Sequence, residues 1–256
     1  MTPEPLIFVA ADWPAPASVR ACVTTRAGGC SLAPWESLNL AMHVGDEPRS
    51  VQRNRERVAM QLRLPCTPQW LEQVHGSTVV DARDDGATRL GDAVYTDLPG
   101  IVCAVLTADC LPVMLCDRDG CEVAVVHCGW RGLAAGVLRA AVARFRASGD
   151  AVIAWLGPAI AQQAFEVGAE VREHFLDAAR DDLRHAGVNA AFVPAPGRPG
   201  KFHADLYALA RSELATIGVT AVYGGGFCTH SEPSRFFSYR RDGRTGRMAS
   251  LIWISD

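Results

Sequence analysis

The chain has 256 residues, 49% hydrophobic and 21% charged, with a formal net charge of −3. That composition excludes a disordered chain and a fibrous one. The sequence pI of about 6.2 lacks the basic excess of a nucleic-acid binder, so no nucleic-acid partner is expected.

In chain order, residues 1–12 hold no basic flank leading into an apolar run, so no signal peptide is read there and a cytoplasmic location is expected. Without an export signal, the nine cysteines read as reduced thiols, and no Cys-x-x-Cys pair occurs. Apolar runs between turn residues predict strands over 19–24, 70–74, 101–106, 113–116 and 123–127, then 152–156, 219–223, 236–239 and 249–254. Helices are predicted over 50–62, 133–147, 170–185 and 206–217. In the second, Leu133, Val137, Leu138, Ala141, Val142 and Phe145 share one stripe. The prolines and glycines of 194–200 mark a surface loop. The most apolar stretch, 100–116, is interrupted by Asp109 and Pro112 and is not expected to span a membrane. No repeat or long linker divides the chain, so one domain over 1–256 is expected. Strands cluster between helices without strict alternation, which implies an α+β fold of mixed β-sheets flanked by helices.

Three segments place reactive side chains beside strand ends: Glu72-Gln-Val-His75-Gly76, Thr107-Ala-Asp109-Cys110-Leu-Pro112, and Val125-Val-His127-Cys-Gly129-Trp130-Arg131-Gly132. A buried Asp109 would need a partner. Cys110 and His127 lie seventeen residues apart across a predicted strand–turn–strand. They read as a nucleophile–base dyad, or with His75 as a two-histidine, one-cysteine metal site with an open position. A buried inert cysteine with two hydrogen-bonded histidines is the third reading.

Arginine is the second theme. Arg240, Arg241, Arg244 and Arg247 stand among glycines, and Arg26 and Arg55 lie beside Gly28 and Asn54. Guanidinium forks on flexible backbone suit phosphate or carboxylate, although a solvated arginine face reads the same way. No Gly-x-Ser-x-Gly elbow, Walker loop, dinucleotide fingerprint or His-Glu-x-x-His is present. His43, His203 and His230 read as structural or surface residues.

The combined motifs are Thr25-Arg26-x-Gly-Gly, Ser37-Leu-Asn39-Leu, His43-Val-Gly45-Asp46, Glu72-Gln-Val-His75-Gly, Ala108-Asp-Cys110-x-Pro, His127-x-Gly-Trp-Arg-Gly132, Leu156-Gly-Pro-Ala-Ile160 and Phe237-Ser-Tyr-Arg-Arg-Asp242. Together they resemble the YfiH-type laccase-domain family, also called purine nucleoside phosphorylase or polyphenol oxidase. The resemblance runs from about Val19 to the carboxyl terminus. It implies a cysteine-hydrolase-like α+β fold of the kind seen in a bacterial toxin. It also implies zinc on His75, Cys110 and His127, with copper as the alternative ion. Its activities are phosphorolysis of adenosine, inosine and methylthioadenosine, and deamination of adenosine. Small molecules, a purine nucleoside and phosphate, are the implied partners. Arg55, Asn39 and Arg26 are expected to bind phosphate, because they lie in or beside the family's motifs. Two alternatives stand beside this reading. One is an amide hydrolase of peptidoglycan precursors, with Cys110 as nucleophile and His127 as base. The other is a copper-dependent polyphenol oxidase, for which the chain offers no His-x-His pair.

Overall fold

A computed structural model describes residues 6–179 and 181–255. Two stacked β-sheets form its centre. The larger runs from edge to edge as Ala221–Gly224, Val152–Leu156, Leu111–Asp117, Val123–Cys128, Ala93–Thr96 and Val79–Asp81. Its inner pairs are antiparallel and both edge pairs parallel, so the sheet is mixed. The smaller, wholly antiparallel, runs Phe8–Ala10, Val19–Thr24, Met248–Ile254 and Cys103–Thr107. A three-stranded sheet and the short pairing of Leu71–Glu72 with Arg89–Leu90 lie outside this pair.

Successive side chains on a strand point to opposite faces, and here both faces are buried. Leu111, Val113 and Leu115 enter the core beneath the helices, while Met114 and Cys116 face the smaller sheet. The neighbouring strand divides likewise, Ala124, Val126 and Cys128 against Val123 and Val125. Double burial is why these strands read as unbroken apolar runs. Helices Trp130–Ala134, Val137–Val142 and Leu206–Thr216 cover the larger sheet through Leu133, Val137, Leu138 and Leu209. Helix Pro48–Leu62 covers the smaller one, with Val58 in a core shared by Leu251 and Trp253.

The predicted strands over 19–24 and 152–156 occur at those bounds, and six others fall within two residues at each end. The segment 236–239 is not a strand. Phe236 and Phe237 are fully buried, and Ser238 then caps the short helix Tyr239–Asp242 by accepting from Arg241 N at 3.2 Å. Its apolar residues pack without pairing. The helix expected over 133–147 is broken at Gly136, whose φ of +85° is a left-handed conformation that glycine takes without strain. The one expected over 170–185 is likewise two helices, Ala169–Asp177 and Asp182–Ala191, with residue 180 outside the described residues. Asp181 starts the second by accepting from Arg184 N at 2.8 Å. Among the described residues, seven strands of two to four residues, Ala93–Thr96 one of them, lack a run long enough to read in the sequence. Among the described residues no helix is long and apolar enough to cross a membrane.

Candidate metal centre

The hairpin of Leu111–Asp117 and Val123–Cys128 sets the first two side chains. Its register pairs Leu111 with Cys128 and Pro112 with His127, so Cys110, one residue before the hairpin, meets His127 near the hairpin's end. His75 comes from elsewhere, on the loop after Leu71–Glu72, in a left-handed conformation with φ of +61°. Asp92 holds that loop, its carboxylate accepting from His75 N at 2.9 Å and Gly76 N at 2.7 Å. The same carboxylate lies 2.8 Å from His127 Nδ1, and Asp92 O accepts from His127 N at 2.7 Å. One buried aspartate therefore fixes both histidines and leaves His127 Nε2 for the cavity.

Metal-capable atoms of His75, Cys110 and His127 all lie within 4.8 Å of one another, with Cys110 Sγ 3.8 Å from His75 Nε2. The two imidazoles meet edge to face, centroids 4.8 Å apart. Two glycines permit the approach. A Cβ on Gly129 would stand 2.5 Å from His75 Cδ2 and 3.3 Å from Cys110 Sγ, and one on Gly132 would stand 2.8 Å from Gly76 O. Larger residues there would push the His75 loop away.

The electrostatics suit a cation. Burial pushes the Cys110 thiol up, but the His127 imidazole and then His75 outweigh it and hold the thiol below its ordinary range. Burial pushes His127 down, yet the Cys110 charge and the Asp92 carboxylate outweigh it and hold the imidazole above its ordinary value. Asp92 is pushed up by burial, but the His127 imidazole and the amides of Gly76 and His75 hold it below its ordinary value. An imidazole backed by a carboxylate is the usual outer support of a metal-binding histidine. These three side chains could hold one metal ion with a position left open.

A cavity of about 340 Å³ opens over this group, and His43, Gln73, Thr107, Tyr239 and Arg247 complete much of its wall. A smaller apolar slot of about 130 Å³ lies on the other side of Cys110, walled by Trp130, Ile160, Phe165 and Leu206. The two share Ala108, Cys110 and Tyr239. Asp109 has its partners: Oδ1 accepts from Thr229 Oγ1 at 2.6 Å and Oδ2 from Arg240 N at 2.6 Å. It thereby ties the strand end to the base of the short helix carrying Tyr239.

The residues expected to bind phosphate stand away from this cavity wall. Arg26 donates to Glu36 O and Pro233 O, both at 3.0 Å, and lies over the Phe237 ring. Arg55 donates to Leu40 O at 2.9 Å and stacks on Trp70 with 4.0 Å to the ring centroid. Asn39 is fully buried, donating to Asp46 Oδ2 and Ala41 O and accepting from Arg247 N at 3.0 Å. Sequence reasoning did not single out Asp92 or Gln73, and it placed His43 among the structural residues. The one signal for Asp92 is its place immediately before the apolar run 93–96.

The family described as "multi-copper polyphenol oxidoreductase laccase" matches residues 20–255. A protein of Pseudomonas aeruginosa named purine nucleoside phosphorylase is 56% identical over 245 residues, 96% of this chain and 97% of that one. The Escherichia coli K12 protein named purine nucleoside phosphorylase YfiH is 50% identical over 248 residues, 96% of this chain and 98% of its own. The crystal structure of a Neisseria meningitidis protein superposes with a TM-score of 0.90 at 49% identity, covering 97% of this chain and 99% of that one. YlmD from Geobacillus stearothermophilus superposes with a TM-score of 0.85 at 31% identity, covering 94% and 93%. Sequence, fold and the His75–Cys110–His127 group agree: the chain belongs to the YfiH laccase-domain family.

Proposed function

We propose that this chain is a purine nucleoside phosphorylase whose reaction is centred on His75, Cys110 and His127, with zinc as the ion. One observation carries the reading: a cavity of mixed lining, with His43, Gln73, Thr107 and Arg247 in its wall, and a more apolar slot share Cys110. A nucleoside has the same two-part chemistry, a polar sugar joined to a flat, largely apolar base. The names borne by relatives at 56% and 50% identity support it.

The donor set fits zinc, which takes imidazole and thiolate together and in catalytic sites keeps an open position. Among the described residues one group of this kind is found, which suits one ion better than the several centres of a multicopper oxidase. When bound, zinc supplies Lewis acidity at that open position. The protein does the rest. Asp92 orients both histidines, Gly129 and Gly132 let them close on Cys110, and Trp130 and Phe165 exclude water from the base slot. Asn39, Arg55 and Arg26 act as positioning residues, Asn39 by fixing the backbone of Arg247. The proposal extends to adenosine deamination, in which water replaces the C6 amino group and ammonia leaves.

Chromatographic product analysis with adenosine and inosine, with and without phosphate, tests this. Phosphorolysis releases the free base only when phosphate is present; deamination yields inosine without it. Both are expected to vanish in Cys110→Ala, which also excludes contaminating host enzymes. A protein of confirmed metal content that turns over neither nucleoside sinks the reading.

A second reading rests on the chain Asp92, His127, Cys110, which has the order of a carboxylate–imidazole–thiolate hydrolase. Chelation separates the two. A cysteine nucleophile acting on an amide survives removal of the metal, and a metal-centred nucleoside reaction does not.

A further inference from the structure

Beside the cavity over the metal centre lies a second chamber of about 330 Å³, walled mainly by His43, Tyr239, Arg244, Thr245 and Arg247. The two share His43, Tyr239 and Arg247. The chamber gathers positive charge. Arg247 is held in place, its Nη1 donating to Thr245 O and Gly246 O at 3.0 Å each and its backbone N to Asn39 Oδ1. Arg244 is exposed and lies over the Trp35 ring, 4.6 Å from its centroid. Arg55 is near enough to His43 to add to the field there.

Among the described residues neither Arg244 nor Arg247 forms an ion pair with a carboxylate, although the Cys110 and Asp109 charges act on Arg247 from a distance. Asp46, the nearest acid in sequence to His43, is engaged by Asn39 Nδ2 and by Glu47 N. Asp242 is taken by Arg241, and Asp109 by Thr229 and Arg240 N. Thr245, 1% exposed, has a hydroxyl with no hydrogen-bond partner. The Thr107 and Ser250 hydroxyls are likewise buried without a partner, so this feature alone does not distinguish the chamber.

We propose that this chamber binds inorganic phosphate, with Arg247 and Arg244 as its clamp, and presents it past His43 and Tyr239 to a nucleoside over the metal centre. The role of the anion as co-substrate rests on the phosphorylase reading; the anion site itself does not. In the reaction a phosphate oxygen bonds to C1′ as the bond from C1′ to the base nitrogen breaks. The electron pair leaves with the base, and the proton of hydrogen phosphate ends on it, so no further reactant is required. One guanidinium held by hydrogen bonds and a second stacked on Trp35 suit this step, because guanidiniums hold phosphate by paired hydrogen bonds and position it for attack. This also explains why Asn39 belongs to the site without touching the anion: it anchors Arg247.

Calorimetric titration with inorganic phosphate is to be run on the wild type, Arg244→Gln and Arg247→Lys, alongside kinetics in which phosphate and inosine are varied separately. Arg244 is exposed, so its variant is expected to fold. Losing one charge-assisted hydrogen bond weakens phosphate binding about tenfold or more. Arg244→Gln is therefore expected to raise both Kd and KM for phosphate by that factor, with KM for inosine little changed. Arg247→Lys keeps the charge and loses the fork, and is expected to weaken phosphate as well. Adenosine 5′-monophosphate is the comparison ligand. Should it bind in place of free phosphate and lose affinity in Arg244→Gln, the chamber serves a nucleotide's phosphate and the proposal falls. Phosphate constants unchanged in both folded variants overturn the site, even if phosphorolysis proceeds. A wild type without phosphorolysis, whose phosphate binding is lost in Arg244→Gln, overturns the phosphorylase reading and leaves the anion site standing. No phosphate binding in the wild type overturns the site outright.

Discussion

The cavity lined by Arg139 and Arg184 and the chamber lined by Arg244 and Arg247 each bring two guanidiniums to one hollow, but only the first two are ion-paired with a carboxylate. Glu213, 2% exposed, puts Oε2 2.9 Å from Arg184 Nε and Oε1 3.3 Å from Arg139 Nε. These contacts are charge pairing and not well-aligned hydrogen bonds, since neither Glu213 oxygen has a hydrogen-bond partner of good geometry. In the second hollow neither guanidinium has an ion-pair partner among the described residues. The contrast separates arginines that hold the fold from arginines that hold a ligand, although both kinds look alike in sequence.

Four experiments press on that contrast. The largest effect is expected from Glu213→Gln, which leaves Arg184 buried and uncompensated and costs about 3–5 kcal/mol of stability. Urea unfolding measures it, and a loss below about 1 kcal/mol, the ordinary size of a surface pair, removes the contrast. Next comes Asp92→Asn, which keeps the shape but not the charge behind His127. It is expected to weaken metal binding about 10–100-fold, read by competition with a chromophoric chelator. Unchanged affinity would mean that Asp92 only braces the His75 loop.

The third is a pH profile. In metal-free protein the positive His127 imidazole favours the Cys110 thiolate, so alkylation of Cys110 should proceed at pH values below the ordinary thiol range near ~8.5. Removing that positive charge in His127→Asn should move the profile upward. A profile that does not move means that His127 does not set the thiolate. The smallest effect is expected on the stability of Arg244→Gln, within about 0.5 kcal/mol of wild type, because an exposed side chain without a carboxylate has little to lose. A large loss there would place Arg244 with Arg184, as a brace of the fold.

The candidate metal centre was more legible than the proposed anion chamber. His75, Cys110 and His127 are ligand-type residues at strand ends beside glycines, and the hairpin that unites two of them shows as apolar runs flanking a turn. Arg240, Arg241, Arg244 and Arg247 form one run in the sequence with nothing to rank them. The fold divides them: Arg240 donates to Glu166 O, Arg241 pairs with Asp242, and only the last two wall the chamber. Arg26 and Arg55 were singled out by motif, yet neither walls the cavity or the chamber, while Arg247, whose guanidinium also donates to backbone carbonyls, walls both. A guanidinium serves either end equally well, and only the surrounding chain decides which it meets.

Local pattern therefore carried most strands of the two large sheets and pointed to the three ligand candidates, because doubly buried strands are written as apolar runs within a few positions. Long-range meeting decided the rest. Asp92 reaches His127 across 35 residues, Asp109 reaches Thr229 across 120, and Asn39 reaches Arg247 across 208. Whether a charge is neutralised, and so whether a hollow calls for a ligand, depends on such partners, which have no periodicity along the chain. That is why the amino-acid order showed where chemistry was concentrated, and the tertiary structure showed which charges it left open.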